Sequence, residues 1–270
     1  MKTETTEKKD RNFTSSLARG LSILEAFDPS SPRLGITELS KRTALSKTTV
    51  FRLVHTLRSL GYIVPVAGDE KYSLGPRVLS LGFAVLSSLE LREAAQPYLE
   101  ALSREIEETV NLAVLDGYEL IYIERIRTQQ IININLHVGS RLPLYNTSMG
   151  RVLAADQDSV WLARYIRHLS QFPEARSYWA EDGKRLRAIL EEARTQGFAV
   201  NNEELCPGLR SVASPVRNRD GRVAGAVNIA VSSSLYSLKE LRLELLPPLL
   251  NTAAAISAAL GFEGSKRGSR

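Results

Sequence analysis

The sequence predicts an α+β chain of more than one domain, with a small helix-rich module in front, a linker helix, and a larger α/β domain behind. Three observations predict it. Its 270 residues exceed one ordinary domain and suggest two. Apart from one hairpin near residue 62, the apolar spacing is helical until Val110, where it turns to short strands. The charge is uneven as well: residues 33–77 hold eight basic against three acidic side chains, while residues 91–262 hold 19 against 20.

The overall balance excludes several classes. With 43% apolar and 24% charged residues, the chain is neither wholly disordered nor low in complexity. No apolar run approaches the roughly 18 residues of a membrane span, so no membrane partner is expected. Residues 1–13 are polar and of mixed charge, which reads as a disordered tail and not as a signal or transit peptide. Cys206 is the only cysteine, so an intramolecular disulfide and a multi-cysteine zinc site are excluded.

Element by element, Leu17, Leu21, Leu24 and Phe27 recur at helical spacing until Asp28-Pro29-Ser30-Ser31-Pro32 ends the run. A short helix is expected over 37–43. After a turn, Ser46 is a good N-cap for a helix whose apolar stripe is Val50, Leu53, Val54, Leu57 and Leu60, stopped by Gly61. Residues 62–66 and 71–74 read as a hairpin around the Ala67–Glu70 turn. An apolar helix over 78–88 links the module to the rest, and a longer helix carries Leu91, Ala95, Tyr98, Leu99, Leu102 and Ile106 on one stripe.

From there, residues 111–115 and 120–123 form a hairpin around Asp116-Gly117, and residues 131–138 a further strand. Helices are expected over 148–155, 160–168 and 183–196, the last ended by Gly197. Strands follow at 198–200, 211–216 and 222–231. A closing helix over 237–260 is expected to be interrupted at Pro247-Pro248. The domains thus read as 14–77, a linker helix over 78–90, 91–262, and a basic tail over 263–270.

Helix, turn, helix and hairpin within the basic block is the order of a winged helix-turn-helix, a reader of double-stranded DNA. On the second helix the inward stripe leaves Lys47, Thr48, Thr49 and Arg52 outside, where short hydroxyls and long cations suit a major groove. Lys71 near the wing tip, Arg19 and Arg42 are further phosphate candidates. The same faces also suit a module used for protein contacts.

The segments Ser16-Leu17-Ala18-Arg19-Gly20-Leu21, Leu60-Gly61-Tyr62, and Tyr72 through Gly82 resemble the IclR family of bacterial transcriptional regulators. The similarity runs on through Gly139–Tyr145, Thr147-Ser148-Met149-Gly150-Arg151, Glu203-Glu204 and Gly208–Ser211, and so covers residues 15–262 in order. Within the family the chain looks closest to the branch controlling protocatechuate, 4-hydroxybenzoate and β-ketoadipate pathway genes. The resemblance implies a GAF-like α/β effector-binding domain, a cytoplasmic homodimer or homotetramer, and an effector that is a small organic acid, aromatic or short.

It also implies effector contacts at Leu142, Ser148 and Met149 and polar ones at Asn201, Ser211 and Asn228, with Ala230 where relatives carry a serine. Thr147 and Ser148 open a helix whose amino terminus suits a carboxylate. Arg141 reads equally as a partner for that acid or as half of a salt bridge. Ser211 and Asn228 also read as satisfied strand residues. The carboxy-terminal domain of a constitutive regulator, serving oligomerisation alone, fits the same residues. Neither a nucleophile elbow, a zinc-protease helix nor a P-loop is present, and the adjacent Glu203 and Glu204 point to opposite faces of a strand. No cofactor, metal or enzymatic activity is therefore expected.

Overall fold

A computed structural model describes residues 12–88, 90–127 and 136–263. It divides into two compact units between Leu86 and Ser87. The expected tails, apart from Asn12, Phe13 and Glu263, lie outside the described residues, as does most of the strand expected over 131–138.

The first unit holds α1 (Ser15–Glu25), α2 (Ile36–Thr43), α3 (Lys47–Ser59), a hairpin of β1 (Ile63–Pro65) and β2 (Tyr72–Leu74), and all but the last two residues of α4 (Arg77–Ser88). Its core is Ile23, Phe27, Leu34, Leu39, Val50, Val54 and Ile63. Two local devices set the α2–α3 angle. Ala44 takes a left-handed conformation at φ 55° to end α2, and the Ser46 hydroxyl accepts the Thr49 N–H at 3.3 Å to start α3. The expected inward stripe of α3 stops before Leu60, which is exposed. Leu34 exchanges two backbone hydrogen bonds with Tyr72, at 3.0 and 2.9 Å, and so ties the α1–α2 connection to the wing.

The second unit is a six-stranded antiparallel sheet between helices. Its strands are β3 (Thr109–Asp116), β4 (Glu119–Ile126), β5 (Arg141–Pro143), β6 (Ala199–Asn202), β7 (Leu209–Arg217) and β8 (Val223–Ser232), in the order β5-β4-β3-β8-β7-β6. α5 (Glu90–Ile106) and α10 (Leu246–Ala259) cover one face. α6 (Ser148–Ala155) lies on the other, with α7 (Ser159–Leu169) and α8 (Arg176–Gln196) packed outside it. α9 (Leu238–Glu240) opens the run that leads into α10.

Three expectations need correction. The described end of the expected 131–138 strand, from Leu136, is loop and turn. The edge strand is instead β5, three residues too short to leave a periodic signal, paired through Leu120↔Leu142. Helix α8 begins earlier than expected and kinks at Ala180–Gly183, where Glu181, Asp182 and Gly183 all have positive φ. Gly183 is required there, since a Cβ would lie 2.5 Å from Ile166 Cδ1. Pro247 and Pro248 do not break the closing helix. They occupy the first turn of α10, where no intrahelical N–H is needed, and a π-helical turn over Leu241–Leu245 precedes them.

One irregularity matters for the site. The β3–β4 register steps from Leu112↔Glu124 to Ala113↔Tyr122, leaving Ile123 as the extra residue of a β-bulge. Tyr122 and Arg125 are three apart and would face opposite ways in a regular strand. The bulge turns both to the α6 face, while Glu124 points to the α5 face and pairs with Arg92 at 2.8 Å.

Candidate nucleic-acid interface and ligand pocket

On α3, Lys47, Thr48 and Arg52 are exposed, and no ion pair engages either cation among the described residues. Thr49 is half-buried, its hydroxyl 2.9 Å from that of Ser46, so it belongs to the helix cap more than to the outer face. Phe51, 60% exposed, and His55 share the exposed surface of α3 and were not singled out from sequence. An exposed aromatic on a polar helix face is the signal that was available. Arg19 is exposed on α1. Lys71 pairs loosely with Glu38 at 3.5 Å, a surface contact that leaves the amine accessible.

Arg42 has a different role from the phosphate contact expected of it. Its guanidinium donates to the Ala26 carbonyl at 2.8 Å, to Asp28 at 2.5 Å and to the Ser31 hydroxyl at 2.6 Å, clamping the end of α1 to α2. The Asp28 carboxyl is held down to about 2, first by the Ser30 hydroxyl and then by Arg42. A depressed carboxyl contributes stability above its ordinary value of 3.8 and loses it as the pH falls toward 2. The first unit is therefore expected to weaken on acidification from about pH 4 to 2, and Asp28→Ala to remove that part of the profile in circular-dichroism melts. A variant with the wild-type acid profile would assign the loss to other carboxylates.

In the second unit a pocket opens between the sheet and the amino-terminal end of α6. Leu142, Thr147, Ser148 and Met149 line it from β5 and α6, and Asn201, Ser211 and Asn228 from the sheet. Gly150 lets α6 approach, because a Cβ there would lie 2.3 Å from Leu144 Cα. Thr147 is not free to receive a carboxylate: its hydroxyl accepts the Gly150 N–H at 3.1 Å and donates to the Pro143 carbonyl at 2.7 Å. The Ser148 and Ser211 hydroxyls meet each other at 2.8 Å, and Asn111 donates to Asn228 at 2.8 Å.

Six lining residues were not singled out from the sequence: Asn111, Tyr122, Arg125, Leu136, Leu205 and Leu209. Among the described residues Arg125 is the only charged one in the lining, and burial lowers its pKa. Tyr122 beneath it is pushed up to about 12 by burial. Arg141, by contrast, is a structural cation paired with Glu119 at 2.7 Å and Asp116 at 2.8 Å, outside the lining. The free volume is about 30 Å³, room for one or two waters. An organic ligand must therefore displace part of the wall.

Behind the pocket, Arg151 on α6 is 6% exposed and donates to the carbonyls of Tyr145 (3.1 Å) and Val200 (2.8 Å) and to Glu204 (2.5 Å). Tyr178 donates to the same Glu204 oxygen at 2.6 Å. Burial raises the Glu204 pKa, but the hydrogen bonds from Arg151 and Tyr178 outweigh it and the net shift is downward. Cys206, two residues on, is a half-buried free thiol pushed up by burial and by Glu203, the opposite of an activated cysteine. Among the described residues no cluster of three or more metal-ligating side chains occurs, and no helix is long and apolar enough to cross a membrane.

Residues 16–67 match the family described as IclR helix-turn-helix domain, and residues 83–258 match Bacterial transcriptional regulator IclR C-terminal. A Pca regulon regulatory protein of Pseudomonas putida is 39% identical over 242 residues, covering 89% of this chain and 82% of that protein. A p-hydroxybenzoate hydroxylase transcriptional activator of Acinetobacter baylyi is 31% identical, covering 92% of each. The crystal structure of an IclR family transcriptional regulator from Brucella abortus matches with a TM-score of 0.80 and 30% identity, over 93% of this chain and 94% of that one. These relatives are transcriptional regulators and not enzymes.

Proposed function

The chain belongs to the IclR family of bacterial transcriptional regulators, and from that membership we propose that its DNA binding is modulated by a small organic acid held in the α6 pocket. Residues 14–77 form the operator-binding module, 78–90 the linker and 91–262 the sensor. Lys47, Thr48 and Arg52 meet the major groove, with Arg19 and Lys71 on flanking phosphates. The chain works in the cytoplasm as a homodimer or homotetramer. Support for self-association comes from Leu17 and Leu21, exposed on one face of α1, and from Leu79 and Leu81, exposed on α4.

The observation that carries the sensor reading is the pocket itself. Polar side chains from four strands and the start of α6 converge on a space otherwise walled by Leu136, Leu142, Met149, Leu205 and Leu209, with one cation and no carboxylate in the lining among the described residues. An aromatic acid is favoured, in keeping with the relatives in aromatic-acid pathways. Such a ligand shifts operator affinity only by as much as it prefers one state of the protein over the other. Operator titrations with 4-hydroxybenzoate and related acids are expected to shift affinity or the DNA footprint by about 5- to 150-fold, the usual range of such coupling. The competing reading is a constitutive regulator whose second unit serves oligomerisation alone. It would be favoured if no acid changed either operator binding or melting temperature.

A further inference from the structure

The outer face of α3 carries one side chain that the groove and phosphate contacts above leave unused. Phe51 is 60% exposed and lies outside the apolar core of the first unit. Successive residues of a helix turn by about 100°, so Lys47 and Thr48 sit one turn before it and His55 one turn after, all of them exposed. Val50 and Val54 hold the opposite, buried face. The ring thus stands beside Arg52 on the side of the helix turned away from its own domain.

Nothing within the domain accounts for a phenyl ring there. Left in water it forgoes the stabilisation that burial would give, and phenylalanine is a weaker helix former than the straight-chain residues that usually fill an exposed helical position.

The surroundings of the ring decide what covers it. α3 carries Lys47, Arg52, His55 and Arg58 and no acidic residue, so the face suits a polyanion. Lys47, Thr48 and His55 around the ring are polar, and the exposed leucines Leu17, Leu21, Leu79 and Leu81 belong to α1 and α4. Phe51 is therefore an isolated apolar point in a cationic frame and not part of a broad apolar patch of the kind that marks a protein contact. Duplex DNA offers the matching surface. Phosphates flank the major groove, and the thymine 5-methyl is the one apolar group that a standard base displays in it.

We propose that Phe51 is a specificity-determining residue whose ring packs on the 5-methyl group of a thymine in the operator, while Lys47, Thr48 and Arg52 meet the groove around it. This rests on the placement of α3 in the major groove given above, and adds a base and the side chain that selects it. The contact needs the methyl group and not the hydrogen-bonding edge of the base. Uracil at that position loses the contact although its pairing is unchanged, and 5-methylcytosine presents the group that cytosine lacks.

Duplexes that the full-length protein selects from a random-sequence library supply the probe, and anisotropy titrations with each thymine replaced in turn by uracil test the contact. For the wild type, one replacement is expected to weaken binding about fourfold, the worth of one methyl group taken out of water. At that position Phe51→Ala should bind the thymine and uracil duplexes alike, and Phe51→Leu should keep part of the difference. There too the wild type should prefer 5-methylcytosine to cytosine, and Phe51→Ala should not. Melting curves establish that the variants are folded, and the uracil series on the wild type needs no variant. The proposal is overturned if the protein enriches no sequence, or if no uracil replacement weakens wild-type binding, as for a ring that serves a protein contact. It is overturned as well if Phe51→Ala keeps the uracil sensitivity, which would give the methyl group to another residue such as Thr48. In these last two cases a salt slope lowered by Lys47→Ala and Arg52→Ala would leave α3 in the groove, whereas an unchanged slope would remove the helix together with the proposal.

Discussion

Arg151→Ala is expected to destabilise the second unit by about 3 kcal/mol, the low end for breaking a buried ion pair because its Glu204 partner is only part-buried. Arg151 is nearly sealed from solvent and joins three things that nothing else joins in the same way: the Tyr145 carbonyl before α6, the Val200 carbonyl on β6, and the Glu204 carboxylate. Without it, two carbonyls lose a donor and Glu204 keeps only the Tyr178 hydroxyl and the more distant Arg185 at 3.8 Å. Because Leu205 follows Glu204 and lines the pocket, effector binding should weaken together with stability. The double variant Arg151→Met with Glu204→Leu should be less damaged than Arg151→Met alone, since it removes the orphaned charge along with its partner. Urea unfolding measures this: a midpoint for Arg151→Ala equal to that of the wild type would sink the idea.

Lys47→Ala and Arg52→Ala are each expected to lower the magnitude of the salt dependence of operator binding by about one, and the double variant by about two. Both cations are exposed on α3, and beside what they read in the major groove each is expected to neutralise a phosphate at its edge, so affinity should fall on non-specific DNA as well as on the operator. Arg42 provides the internal comparison. Its guanidinium is already bonded to Ala26, Asp28 and Ser31, so Arg42→Ala should show mainly as lost stability. An unchanged salt slope in the Lys47/Arg52 double variant would remove α3 from the phosphate contacts.

The parts of the site that could be read from the chain were those with local signatures. Ser46 before an apolar stripe announced α3, and that stripe placed Lys47 and Arg52 outside without knowledge of any neighbour. Resemblance to the family pointed to Ser148, Asn201, Ser211 and Asn228, which the fold gathers around one pocket. Thr49, Thr147 and Arg42 were harder. Each has the right chemistry for its expected contact, but its hydrogen-bonding capacity goes wholly or partly to capping or clamping the chain.

What the sequence alone determined was the order of modules, the existence of most elements and the confinement of positive charge to the reading head. These depend on periodicity, capping and composition, properties of residues within a few positions of each other. What only the tertiary structure decided was which polar groups are left without partners. Arg125 falls on the pocket face because a bulge at Ile123 shifts the alternation. No ion pair engages it among the described residues: Glu124 beside it turns to the other face and pairs with Arg92, and the guanidinium lies over the Tyr122 ring at 5.9 Å. Arg141, with the same side chain and a better-placed sequence motif, is neutralised by Asp116 and Glu119 across the β3–β4 turn. Charge on a chain is local, but whether that charge is paired depends on which strands the sheet brings together.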